Sequence, residues 1–270
     1  MGLIMVARRQ PIFVEPLDLL NIAANTQLPG QPAGNVGRHE FIGLTWRTDG
    51  SVLPWARGTF DGARAVDFFA IIAANAGPGT QYRLRLGATQ AQVDGDAAPY
   101  DSGAKVFIDP AIVSDDGLYH SHLELGVAVL ATWWRLDIVA HAGPFETAGL
   151  VLGKALSPAR FYDRDYEHGI EPLDSLTINR FAVPDATDGY VLRTLGMTLS
   201  WLSEDEHELY IAPMLRRLGS TKVVYCCFDP APSIYRQTRT YLGWLSRAPF
   251  AKGVAKPRTV SMEISIRSLI

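Results

Sequence analysis

Cysteine is nearly missing: two thiols in 270 residues, Cys226 and Cys227. Adjacent residues of a strand point to opposite faces, so these two are poor disulfide partners for each other. They read as reduced thiols packed as small hydrophobes, and nothing here requires an oxidising compartment. Excess charge is missing as well. Twenty-five Lys and Arg against 28 Asp and Glu leave a net charge of −3, without the basic stripe that a nucleic-acid partner demands. No apolar run suits a membrane span. Residues 1–6 are apolar but soon meet Arg8 and Arg9, too short for a signal peptide. Residues 127–130 belong to a strand-like segment ending in Trp133, Trp134 and Arg135. A soluble protein without an anchor is expected. The familiar catalytic motifs are missing too: there is no GxSxG, P-loop, dinucleotide fingerprint or HExxH. No enzyme activity and no cofactor are expected.

What is present is turn-rich and β-forming. Twenty-four glycines and 17 prolines punctuate short apolar runs. Residues 1–36 open with a strand at 11–14 and continue as an extended segment, with 21–37 reading as a surface loop. Residues 37–148 hold six to eight short strands and no helix-period segment. They include 41–48, closed by the Asp49-Gly50 turn, then 65–73, 81–87, 106–108, 119–125 and 132–141. In 81–87, Tyr82, Leu84 and Leu86 alternate with outward Arg83 and Arg85. This is the pattern of a jelly-roll-like β-sandwich.

Residues 149–270 predict a second β domain with one helix. Residues 197–202 alternate as a strand. Ser203 then caps a helix, with Glu206 completing a capping box. His207, Ile211, Met214, Leu215 and Leu218 share one helical face, and Gly219 is a stop signal. Pro213 lies inside that pattern and predicts a kink or a restart. Strands at 222–229, 235–246 and 260–266 follow. The expected fold class is therefore mainly β: a jelly-roll-like β-sandwich plus a second β-sandwich domain flanked by one α-helix. Residues 1–13 are expected to pair with the C-terminal sheet.

Three groups of side chains are candidates for chemistry. His120, His122 and Glu124 share one face of a strand at i, i+2 and i+4, a weak metal-ligand set that lacks a later His on a matching strand. Trp133 and Trp134 cannot both face inward, so one is expected to be exposed at a protein interface or against a sugar. Asp163, Asp165 and Glu167 are carboxylates without a flanking catalytic motif, and mixed charge of this kind marks a solvated loop.

The order of several short motifs across residues 150–270 resembles a family of tail-module proteins of long-tailed bacteriophages. These are Leu152-Gly153-Lys154-Ala155, Arg160-Phe161-Tyr162-Asp163 and Tyr166-Glu167-His168-Gly169, then the strand 193–201 running into Ser203-Glu204-Asp205-Glu206. Gly219-Ser220-Thr221, Phe228-Asp229-Pro230, Gln237-Thr238 and Tyr241-Leu242-Gly243 complete them. The resemblance covers nearly half of the chain. It implies a structural virion protein of the tail tip or baseplate, with a tail-ring-like C-terminal domain that assembles as a symmetric ring of copies. The implied partners are the chain itself and tail tube, hub or tape-measure proteins, and the implied location is the virion. The alternative is a carbohydrate-binding module of the virion that touches a host surface glycan. Trp133, Trp134, Tyr162 and Tyr166 are the interface or glycan candidates.

Overall fold

The structure is a computed structural model that describes residues 10–270 apart from Val52, Asp115, Asn179 and Ala255. The chain is mainly β, 49% strand and 10% helix, built from β-sandwich sheets, as the alternation predicts. It divides into two compact units. One holds Met1–Ser157 and Tyr225–Thr240, the other Pro158–Val224 and Tyr241–Ile270. A divide at 148/149 would cut the strand Glu146–Gly153, so the first unit runs on past it. Among the described residues no helix is long and apolar enough to cross a membrane.

The first unit is organised on one antiparallel sheet. Its order is Trp46–Arg47, Glu146–Gly153, Trp55–Ala74, Tyr119–Ala140, Gln81–Gly87 and Tyr100–Asp101. Two of these strands are longer than the sequence suggests. Residues 65–73 are the end of a 20-residue strand, and 119–125 and 132–141 belong to one strand of 22 residues. Both are interrupted by bulges, which the alternation registers as breaks. Conversely, 41–48 contributes only Trp46–Arg47, while the expected loop at 21–37 contains the strand Leu20–Ala24 and a 3-10 turn. A short helix, Gln90–Asp94, closes with a Thr89/Gln92 capping box.

Aromatic rings run through the core of this unit. Phe69 packs on Tyr82, Tyr82 on Phe107, Phe107 on Phe145 and Phe145 on Trp46, with centroids 5.7–6.3 Å apart. These are the tilted and edge-on geometries that aromatic quadrupoles favour. Phe68, one residue from Phe69, points to the other face and meets Tyr225 at 4.9 Å. That face carries Ile12–Val14, which pairs with both Ala155–Leu156 and Val224–Cys227. The sheet is thus buried on both sides here. Of the expected pairing of residues 1–13, the register of Ile12 and Phe13 with Cys227 and Cys226 is described; residues 1–9 lie outside the described residues.

In the second unit Val191–Ser203 pairs with Thr259–Ser268 and with Glu167–Pro172. Leu195, Met197, Leu199, Met262, Ile264 and Ile266 are buried, the inward half of two period-2 patterns. The Ser203 capping box forms, with the hydroxyl accepting from Glu206 N–H at 3.1 Å. The helix then reads Glu204–Glu206, a π turn His207–Ile211, and a restart Ala212–Leu218. The π turn places Pro213 in the first turn of the restarted segment, where its missing N–H costs nothing. Residues 235–239 are turn rather than strand, and only Thr240–Leu245 joins the sheet. The charged stretch after residue 160 is not all loop. It includes Glu167–Pro172 and a two-stranded hairpin, Ser175–Ile178 with Pro184–Thr187.

Candidate ligand-binding site

Charge is arranged differently in the two units. On the outer face of the first unit's sheet, cross-strand register places Arg57, Arg135 and Arg85 in one row, with Trp55 and Asp137 in the next. Arg85 bonds Asp137 at 2.6 Å and the Gly95 carbonyl at 2.9 Å. Arg135 bonds Asp137 at 2.9 Å and Asp94 at 2.7 Å, and Arg57 bonds Asp94 as well. Arg57 and Arg135 both lie over the Trp55 ring, at 4.9 and 4.6 Å. Arg85, expected to face solvent, points away from the core but is buried in this lattice. Burial disfavours the charge on Asp94, but the bonds from Arg57 and Arg135 outweigh it and its pKa lies below the usual carboxylate value. Every arginine of this face is paired. The three guanidiniums share two carboxylates, Asp94 and Asp137, and the lattice holds the Gln90–Asp94 helix to the sheet.

The second unit has a face whose cations are not bonded to carboxylates in this way among the described residues. Thr198 pairs with Glu263 across the strands, and Ser261 and Ser265 flank Glu263 on the same face at i−2 and i+2. Alternation with buried Met262, Ile264 and Ile266 forces these polar side chains outward. The Ala251–Gly253 strand adds Lys252 opposite Ser261. Residues 247–250, an irregular segment, line the same cleft, with Phe250 about half exposed at its rim. Arg247 and Lys252 lie 5.0 and 5.1 Å from the Phe250 ring centroid. Together these residues enclose a cleft of about 120 Å³ with a hydroxyl-rich floor, one carboxylate, an aromatic rim and two cations. That is well below the ~300–1,000 Å³ of drug-sized sites, a space for one ring-sized group.

The expected site residues are scattered. His120 Nδ1 accepts from the Ala73 N–H at 3.0 Å, and His122 sits against Phe68 with its Nδ1 3.3 Å from the Tyr225 hydroxyl. Burial pushes the His122 pKa down to about 3, with Arg236 adding to the effect. This face of the strand is covered by Tyr225 and Gln237 rather than open, and among the described residues no three His, Cys, Asp or Glu side chains group as metal ligands. Trp134 is fully buried, with its indole N–H unpartnered among the described residues, so it has no face to offer a sugar or a partner. Gly58 makes room for it: a Cβ there would sit 2.9 Å from the Trp134 ring. Trp133 faces outward and is half-buried. Tyr162 and Tyr166 do meet, edge to face at 5.3 Å, and Tyr166 stacks on His168 at 6.0 Å. Asp163 accepts a bond from the Ser200 hydroxyl, and Asp165 and Glu167 are exposed. Arg247, Phe250 and Lys252 escaped the motif search. The signal for them is compositional: residues 246–262 contain Arg247, Lys252, Lys256 and Arg258 and no acid.

No protein-family model matches the chain, and no curated protein does. Among solved structures, the family 32 carbohydrate-binding module of C. perfringens NanJ, in complex with galactose, is 13% identical with a TM-score of 0.41; the match covers 53% of this chain and 99% of that one. A Streptococcus pneumoniae fucose-binding module is 7% identical with a TM-score of 0.37, over 51% and 97% of the two chains. Reduced XRCC1 bound to the DNA polymerase beta catalytic domain gives 9% identity and a TM-score of 0.37, over 52% and 98%. These are loose overlaps of about half of this chain, and they transfer no ligand to it.

Proposed function

We propose that this chain is a non-catalytic carbohydrate-binding protein, carried at the tail tip or baseplate of a bacteriophage and directed at a host surface glycan. One observation carries the binding reading: the Phe250 ring stands at the rim of a cleft floored by Thr198, Ser261, Ser265 and Glu263. A sugar ring has an apolar C–H face and a polar hydroxyl edge. An exposed aromatic suits the first, and hydroxyls with a carboxylate suit the second. The test is binding of the purified chain to an array of bacterial surface glycans, with Phe250→Ala beside it. Retention of defined glycans, weakened about tenfold by the substitution, is expected, the scale of one lost aromatic contact. Absence of retention, or retention indifferent to Phe250, overturns the reading.

A second observation favours a structural role in the same particle. In the hairpin Ser175–Ile178/Pro184–Thr187, register puts Leu176, Ile178, Pro184 and Ala186 on one face, with Leu176 and Ile178 about two-thirds exposed. A lone two-stranded ribbon is marginal in water, so this apolar face suits a neighbouring copy, as in a head-to-tail ring. Tyr162 and Tyr166 are the further interface candidates. Tail tube, hub or tape-measure proteins are the proposed partners. Light scattering over a concentration series tests this: the intact chain associates, and a chain with residues 175–187 replaced by a short Gly-Ser turn does not. A monomer at every concentration counts against it.

A further inference from the structure

We infer that the Phe250 cleft selects an anionic sugar, one bearing a carboxylate or sulfate group, over its neutral counterpart; this rests on the carbohydrate-binding reading above. The argument is a contrast of charge within one molecule. In the first unit each guanidinium of the Arg57, Arg85 and Arg135 row is bonded to a carboxylate, Asp94 or Asp137. At the cleft, Arg247 and Lys252 flank an aromatic ring and neither has a carboxylate partner among the described residues. Lys256 and Arg258 follow within the same acid-free stretch. Two cations held beside one ring repel each other, and an anion between them relieves that repulsion while forming charge-assisted bonds.

Glu263 sets the orientation. Among the described residues it is the one carboxylate lining the cleft, and it stands on the floor beside Ser261 and Ser265 rather than at the rim. A ligand anion is repelled from the floor and drawn to the rim, while Glu263 accepts hydroxyl protons from the opposite edge of the sugar. An inorganic anion or an acidic peptide satisfies the rim but makes no use of the hydroxyl-rich floor. A neutral sugar does the reverse. The anionic sugar is the ligand class that uses both halves, and the small cleft suits a single such residue at a chain end or branch.

The experiment is titration of the full chain, by calorimetry or NMR, with galacturonate against galactose and glucuronate against glucose, at low salt and at 0.5 M NaCl. In at least one pair the acid is expected to bind about tenfold tighter, the scale of one charge-assisted contact, and the margin narrows at high salt. The double variant Arg247→Gln/Lys252→Gln, both exposed positions, brings acid and neutral sugar within about twofold of each other. Phe250→Ala weakens both. Circular dichroism verifies that each variant is folded. Equal binding of acid and neutral sugars overturns this inference and leaves the carbohydrate reading standing. No binding of any sugar ends both. Binding of an acidic peptide or an oligonucleotide as tightly as the uronate shows a general anion patch and also overturns it.

Discussion

Gln237 serves as a strand partner for His120. Its side-chain oxygen accepts from the His120 N–H at 2.7 Å, and its side-chain nitrogen donates to the His120 carbonyl at 2.6 Å, across 117 residues of sequence. A primary amide sets an N–H donor and a carbonyl acceptor side by side, so it satisfies both backbone groups at once. Gln237→Leu removes both bonds while keeping the volume. A loss of roughly 1–3 kcal/mol is expected, the cost of stranding part-buried backbone groups. Urea unfolding checks it, and a change below about 0.5 kcal/mol would reduce the contact to an incidental one.

Acid should act through the arginine lattice. Bonds from Arg83 hold Asp101 below the usual carboxylate pKa of 3.8, and those from Arg57 and Arg135 do the same for Asp94 against opposing burial. Each folded-state pKa is depressed, so the stabilisation is fully present above 3.8 and is lost as pH falls through the lower folded values. The urea midpoint is expected to stay level from neutrality to about pH 5 and to drop below about pH 4. Asp94→Asn lowers the plateau and flattens the drop. A variant with an unchanged acid slope would remove Asp94 from the account.

The thiols should be silent in the native state. Burial pushes Cys227 up to about 12 and raises Cys226 well above its ordinary value. The thiolate is the nucleophile, and neither residue supplies it near neutrality. Aromatic disulfide reagents are expected to find no thiol in the folded chain and two after denaturation. Reaction at native pH on the timescale of a free thiol would contradict the burial.

Gly243 has no room for a side chain. A Cβ there would run into the Arg267 carbonyl oxygen, on the strand that Gly243 pairs with through Ser268. Gly243→Ala must push the two strands apart. A loss of at least ~1–3 kcal/mol is expected, as for an overpacked core, together with a lower thermal midpoint. An alanine variant with parental stability would show that the strands yield freely.

The legible parts are those where local chemistry and tertiary context agree. Ser203, Glu206, Pro213 and Gly219 mark the helix because caps and breakers act over a few residues. The 81–87 strand is legible because Tyr82, Leu84 and Leu86 face a core and Arg83 and Arg85 do not. Alternation fails where a strand is covered on both faces. His120 and His122 look solvent-facing in the sequence, but Tyr225 and Gln237, more than a hundred residues away, cover them. It fails again at 235–239, where a good strand pattern is bent into turns by bonds such as Thr238 Oγ1 to the Tyr235 carbonyl. The Phe250 cleft was hidden for another reason. Its floor comes from two strands and its rim from an irregular segment, so no single window of sequence contains it.

The assignment of Tyr225–Thr240 to the first unit has a consequence for synthesis. A ribosome must release Tyr225–Thr240 before that unit owns all of its strands, although most of them are outside the tunnel long before. Until then the Phe68 and His122 side of the sheet lacks Tyr225 and Gln237, and an uncovered apolar surface on a nascent chain invites aggregation. Cutting the gene after codon 157 would therefore yield a sheet bare on one side, and a faithful dissection must carry the later segment along.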